Sequence, residues 1–205
     1  DEELLELAQN QLALLSEPEV LHLASITETL EGKKFYNRLA AERFKSTTGY
    51  YNLARIALLE DKKEVAASYL DRCPSDKDAL NLRGIIEMRY RNYDKARKFF
   101  EEAGTPAARK NLGTLSILEG DYQTAAGLLE GSGSLNEALA LILAGNPEKA
   151  LSIATCGTPR DSYIAAVAAA RMGDAERVQS CLAEACKDAD YAKRAAKDVE
   201  FVDFR

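Results

Sequence analysis

The sequence predicts an all-α chain of stacked helical hairpins, on three observations. First, a short pattern is stated twice. Leu82-Arg83-Gly84, Arg91-Asn92-Tyr93-Asp94-Lys95-Ala96 and Phe99-Phe100 are followed by Leu112-Gly113, Gly120-Asp121-Tyr122-Gln123-Thr124-Ala125 and Leu128-Leu129, with Ala96 and Ala125 29 residues apart. A period of that length marks repeated units that bury their apolar faces against their neighbours. Second, apolar residues fall at helical spacing, as at Leu112, Leu115, Ile117 and Leu118. Third, Ala and Leu dominate the apolar residues and there are only 5 Pro in 205 residues, which favours helix.

Each element follows in order. In residues 1–47, Leu4, Leu5, Leu7, Ala8, Leu12 and Leu15 predict an amphipathic opening helix, stopped by Ser16-Glu17-Pro18. Val20, Leu21, Leu23, Ala24 and Ile26 carry a second helix to about Leu30. Glu31-Gly32 is then a turn, and Phe35, Tyr36, Leu39, Ala40 and Phe44 make a third helix. Together the second and third form a degenerate hairpin.

Five regular pairs are predicted over residues 48–187. Tyr51 to Leu58 is the first helix A and Val65 to Leu70 the first helix B, around Glu60-Asp61-Lys62. The next two pairs are those of the doubled pattern. In the second of them Pro106 starts helix A with Thr105 as its cap, Gly120 ends it, and Asp121 caps helix B. An isolated Gly inside a helix, as at Gly113, costs roughly 1 kcal/mol against Ala and so signals close packing.

The fourth pair opens on Ser134-Leu135-Asn136-Glu137, a capping-box sequence, after the bare turn Gly131-Ser132-Gly133, and turns at Gly145-Asn146-Pro147. The fifth runs from Thr158-Pro159 through Tyr163, Ala166 and Val167, turns at Gly173-Asp174, and ends with Val178, Cys181, Leu182 and Ala185. One small residue per helix B recurs at Ala66, Ala96, Ala125 and Ala150, with Val178 in that place last, in steps of 30, 29, 25 and 28 residues. Residues 188–205, charged with Ala at intervals and then Val199, Phe201, Val202 and Phe204, suit a capping element, apolar inside and polar outside.

These residues resemble the tetratricopeptide repeat family. Gly84 and Gly113 match its helix-A glycine, Asn92-Tyr93 and Asp121-Tyr122 its turn, Ala96 and Ala125 its small helix-B residue, Phe100 and Leu129 the large residue after it, and Ala103 the second small one. The family's Trp is absent and its period of about 34 residues is shortened here. The resemblance implies a right-handed superhelical solenoid of antiparallel helix pairs, an α-α superhelix, with helix A of each pair on the concave side. It also implies where ligands touch. Matching Ala54, Gly84, Gly113, Ala138 and Ala166 to the glycine position puts on that face Tyr51, Arg55 and Leu59; Asn81, Ile85 and Arg89; Lys110, Thr114 and Leu118; Leu135, Leu139 and Leu143; and Tyr163, Val167 and Arg171. The partner-binding residues expected from this set are Tyr51, Arg55, Asn81, Arg89, Lys110, Thr114, Tyr163 and Arg171. Four cations and two tyrosines on an acidic chain suit an extended peptide with acidic or polar groups. Asn81 and Lys110 do not reproduce the family's chaperone-tail clamp.

Chemistry is sparse by comparison. The net charge of −6 disfavours non-specific nucleic-acid binding, and no apolar run approaches the roughly 18 residues of a membrane-spanning helix. The single histidine, His22, sits among Leu21, Leu23 and Ala24 with no evident partners for a triad or a metal. No phosphate loop, zinc spacing or nucleophile elbow occurs, so neither a cofactor nor a metal is expected. Cys73, Cys156, Cys181 and Cys186 are too widely spread for a disulfide framework and read as small buried hydrophobes.

The leading expectation is a non-enzymatic interaction scaffold that binds a protein or peptide segment, with no nucleic acid and no membrane insertion. A second is a structural module of a larger protein whose own chain occupies the groove. A third is a small-ligand binder or enzyme with a pocket around Tyr163 and His22. The ending Ala195-Ala196-Lys197-Asp198-Val199-Glu200-Phe201 and the shortened fourth unit are similar to repeat segments of outer-membrane, peptidoglycan-associated proteins of anaerobic Gram-negative bacteria. That similarity implies a periplasmic or cell-envelope setting.

Overall fold

The computed structural model describes residues 10–204. Leu4, Leu5, Leu7 and Ala8 of the expected opening helix lie outside the described residues; residues 10–14 are helical. Among the described residues every regular element is a helix. They form two compact units, divided after Thr105.

In the first unit α1 (Glu17–Ile26) pairs with α2 (Leu30–Phe44), α3 (Thr47–Leu59) with α4 (Lys63–Leu70), and α5 (Lys77–Arg89) with α6 (Tyr93–Ala103). In the second, α7 (Pro106–Glu119) pairs with α8 (Tyr122–Leu129), α9 (Leu135–Leu143) with the single turn α10 (Pro147–Ala150), and α11 (Pro159–Met172) with α12 (Ala175–Ala185). A short helix α13 (Ala189–Ala195) and a 3-10 helix (Val199–Phe204) close that unit on α11 and α12.

Five hairpins turn alike. The backbone is left-handed at Asp61 (φ 58°), Arg91 (62°), Gly120 (85°), Gly145 (84°) and Gly173 (74°). The next amide then reaches back five residues, Lys62 to the Ala57 carbonyl at 2.8 Å, Asn92 to Glu87 at 2.9 Å, Asp121 to Ser116 at 2.9 Å, Asn146 to Leu141 at 2.8 Å and Asp174 to Ala169 at 3.0 Å. This is the Schellman closure, which satisfies carbonyls that the helix end leaves bare. Five residues after each left-handed turn comes Ala66, Ala96, Ala125, Ala150 or Val178, every one fully buried. Turn and small residue are therefore one module repeated at a fixed offset.

The helix-A glycines are sites of close approach. A Cβ on Gly84 would stand 2.4 Å from the buried Phe100 ring, and one on Gly113 2.5 Å from Leu129 Cγ. Gly127, midway along α8, has nothing within 4 Å of that position.

Several sequence expectations are corrected. The first hairpin turns at Thr27-Glu28-Thr29, not at Glu31-Gly32. Thr27 N–H closes α1 onto the Leu23 carbonyl at 3.1 Å, and the Thr29 hydroxyl caps α2 by accepting from Gly32 N–H at 3.2 Å. A threonine cap thus outcompetes the glycine as the boundary, and Gly32 falls in the first helical turn beneath the Thr27 methyl.

The capping box expected at Ser134–Glu137 is half made. Ser134 Oγ accepts from Glu137 N–H at 3.2 Å, but the buried Glu137 carboxylate turns away to accept from Gly131 N–H at 2.9 Å, Gly133 N–H at 2.8 Å and Ser132 Oγ at 3.2 Å. One carboxylate organises the tight loop that permits the 25-residue step. Asn146 does not cap α10 through its side chain.

Cys156 and Cys181 form a disulfide, Cα to Cα 5.6 Å, that ties the loop after α10 to α12. This corrects the expectation of small buried hydrophobes outside any disulfide framework, because a 25-residue separation hides a contact made only by folding. Cys73 is buried and free, Cys186 exposed and free, and burial first of all pushes the Cys73 thiol above its ordinary value.

Three outcomes are expected. Ala on a helix gains about 1 kcal/mol over Gly, whereas overpacking costs typically about 1–3 kcal/mol. Gly127→Ala therefore raises the urea midpoint, while Gly84→Ala and Gly113→Ala lower it. Opening the Cys156–Cys181 loop by reduction or by Cys156→Ser lowers unfolding free energy by about 3 kcal/mol on loop entropy. In the native oxidised protein iodoacetamide modifies Cys186, and Cys73 reacts only after denaturation, as read by mass spectrometry.

Candidate functional site: the helix-A face

In the first unit α3 and α5 carry six of the expected face positions. Tyr51 is half-buried, and the Arg55 guanidinium lies 5.8 Å from its ring centroid in a cation–π contact. Burial holds the Tyr51 phenol above its ordinary value, Arg55 opposes that, and Asp78 and Asp76 add to it. Leu59 is 80% exposed, Ile85 and Arg89 lie open, and Asn81 is half-buried.

Arg55 also lines a cleft of about 520 Å³ between α1, α2, α3 and α5. Its floor is apolar, from Leu21, Ile56, Leu59 and Leu82, and its polar wall is Lys33, Asn37, Asn52 and Arg55. The two amides are fixed. Buried Asn37 donates from Nδ2 to the Lys33 carbonyl at 2.8 Å, and Asn52 donates to Asn37 Oδ1 at 2.9 Å. Lys34, one residue away, is claimed by Glu31 and Glu60. Among the described residues no carboxylate stands within ion-pair distance of Lys33 or Arg55.

In the second unit the expected residues are engaged differently. Lys110 is exposed. Thr114 Oγ1 donates to the Lys110 carbonyl at 3.1 Å and accepts from Asn136 Nδ2 at 3.0 Å, which ties α7 to α9. The C-terminal segment covers Tyr163 and pairs with Arg171, which stays exposed. Tyr163 is 3% exposed, its hydroxyl donates to Asp198 Oδ2, and its ring meets Phe201 edge-on at 5.7 Å and Tyr191 at 5.4 Å. The Arg194 guanidinium lies 5.0 Å from the Tyr163 ring centroid. Arg171 donates from Nη1 to the Ile142 carbonyl at 2.9 Å and from Nε to both Glu200 oxygens at 3.0 and 3.2 Å.

Lys33, Asn37, Asn52, Asp198 and Glu200 were not among the expected residues. The first three sit on the degenerate hairpin or off the family's ligand positions. The last two stand in the tail, outside the repeat. His22 is exposed on α1. Among the described residues no cluster of three or more His, Cys, Asp and Glu side chains is placed to hold a metal ion, and no helix is long and apolar enough to cross a membrane.

Burial first, then the Asp198 hydrogen bond and charge, push the Tyr163 phenol from 10.0 up to about 12, against the opposing Arg194 cation. A raised phenol pKa means that folding favours the protonated form. Its contribution is complete below pH 10 and is lost as pH climbs toward 12. Urea titrations across that window should show a fall in stability that Tyr163→Phe flattens, and at neutral pH the same variant should cost about 1 kcal/mol.

No family model matches the chain and no curated protein matches it, so the functional reading rests on these residues and their geometry.

Proposed function

We propose that the chain is a non-enzymatic protein–protein interaction scaffold that binds a partner segment on its helix-A face. The helix pairs of each unit are taken as turns of a right-handed, tetratricopeptide-like solenoid, with Tyr51, Arg55, Asn81, Arg89, Lys110 and Thr114 toward the partner. The observation that carries the reading is the first-unit cleft, lined by apolar side chains and edged by two cations, Lys33 and Arg55, that among the described residues have no carboxylate within ion-pair distance. Such a site fits an extended segment that alternates leucine-like side chains with Asp or Glu. Apolar burial supplies affinity, and the cations supply register and preference.

A second reading has its own support. The C-terminal segment on Tyr163 and Arg171 suits a structural module of a larger envelope protein in which part of the face is occupied by the chain itself. The Cys156–Cys181 disulfide suits an oxidising compartment such as the periplasm, the setting implied by the similarity of the ending and the fourth unit to repeat segments of outer-membrane, peptidoglycan-associated proteins.

An array of synthetic peptides that pair Asp or Glu with Leu or Phe tests the leading reading. The wild-type chain should select a subset. Lys33→Glu combined with Arg55→Glu should weaken those peptides by roughly tenfold or more, and added salt should weaken them as well. Selection of no peptide, or binding indifferent to both charge reversals, overturns it.

A further inference from the structure

The chain carries a candidate ligand of its own. Three of the four residues Asp198–Phe201 are engaged and one is not. Asp198 accepts a hydrogen bond from the Tyr163 hydroxyl, Glu200 lies in the Arg171 fork, and Phe201 is buried against Tyr163, while Val199 is 81% exposed. Val202 beyond them is 56% exposed. The hold described here is made by side chains, two carboxylates and one ring.

The receiving residues are built to take them. Arg171 is anchored on its far edge by the Ile142 carbonyl of α9, so its other edge is aimed outward independently of Glu200. A guanidinium fixed in this way presents two parallel donors to a carboxylate. The ion pair remains within reach of solvent, with side chains 33% and 25% exposed. Tyr163 and Arg171 also occupy, on α11, the repeat positions taken by Tyr51 and Leu59 on α3.

We propose that the α11 face around Tyr163 and Arg171 is a second peptide-binding site, filled in cis by Asp198-Val199-Glu200-Phe201, whose ligand in trans is a protein segment with the same order of Asp, any residue, Glu and an aromatic, docked as the same short 3-10 turn. This rests on the helix-A face being the partner-binding face. A tethered occupant acts at an effective concentration on the order of millimolar. A free segment of like chemistry is therefore masked until the tether yields, and a partner with further contacts elsewhere displaces it.

The test uses the full chain and a fluorescein-labelled peptide of sequence KDVEFVDFR, which copies residues 197–205. Phe201→Ala removes the aromatic anchor of the cis occupant and should bind this probe at least about tenfold more tightly than wild type, as expected when a buried aromatic anchor is lost. Arg171→Ala added to that variant should abolish the gain, as should a probe in which the residue copying Glu200 is Ala. A folded Phe201→Ala chain that binds the probe no better than wild type overturns the proposal. If Phe201→Ala does not fold, Glu200→Gln serves, read by hydrogen exchange. Excess probe should accelerate exchange at the amides of residues 199–204, and unchanged protection overturns the proposal. Failure here with array binding retained in the first unit sinks this inference alone, whereas failure of both sinks the interaction reading as well.

Discussion

Everything in this chain depends on how closely two helices of a hairpin can approach. The left-handed closure after helix A fixes where helix B begins, and five residues later a methyl, or at Val178 an isopropyl, is fully buried. Where the doubled pattern is strongest, the facing position on helix A has no side chain at all, and Phe100 or Leu129 fills the space over Gly84 or Gly113. The interior is thus set by small residues at a fixed offset from a turn, and large apolar side chains fill the room left over. Such a core is local in sequence, which lets units repeat with steps as unequal as 25 and 30 residues.

What was legible follows from that locality. The helix-A glycines, the buried alanines, the cap at Asp121 and the turns at Gly120, Gly145 and Gly173 are all read within a few residues, and the structure bears them out. The misses are of two kinds. At Gly32 a strong local signal was beaten by a neighbouring one, the Thr29 cap. Elsewhere the deciding contact lies far off in sequence. Cys156 meets Cys181, and Tyr163 and Arg171 meet Asp198 and Glu200, across separations that spacing does not reveal.

The same division runs through the site. Repeat positions pointed to Tyr51 and Arg55, but the cleft beside them is completed by Lys33, Asn37 and Asn52, from the degenerate hairpin and an unmarked position on α3. On α11 the positions were readable and their occupant was not. One face position is open in the first unit and another is covered in the second because a single aromatic, Phe201, has somewhere to go. The covering is a property of the tail rather than of the repeat.

The turns themselves differ between the units in a way that bears on motion. Every non-glycine residue with a left-handed backbone among the described residues, Lys45, Asp61 and Arg91, belongs to the first unit, while the hairpins of the second turn on glycine. Each such residue holds about 1–2 kcal/mol of backbone strain that opening releases. That strain is confined to the unit that carries the cleft, and local opening of its turns releases it.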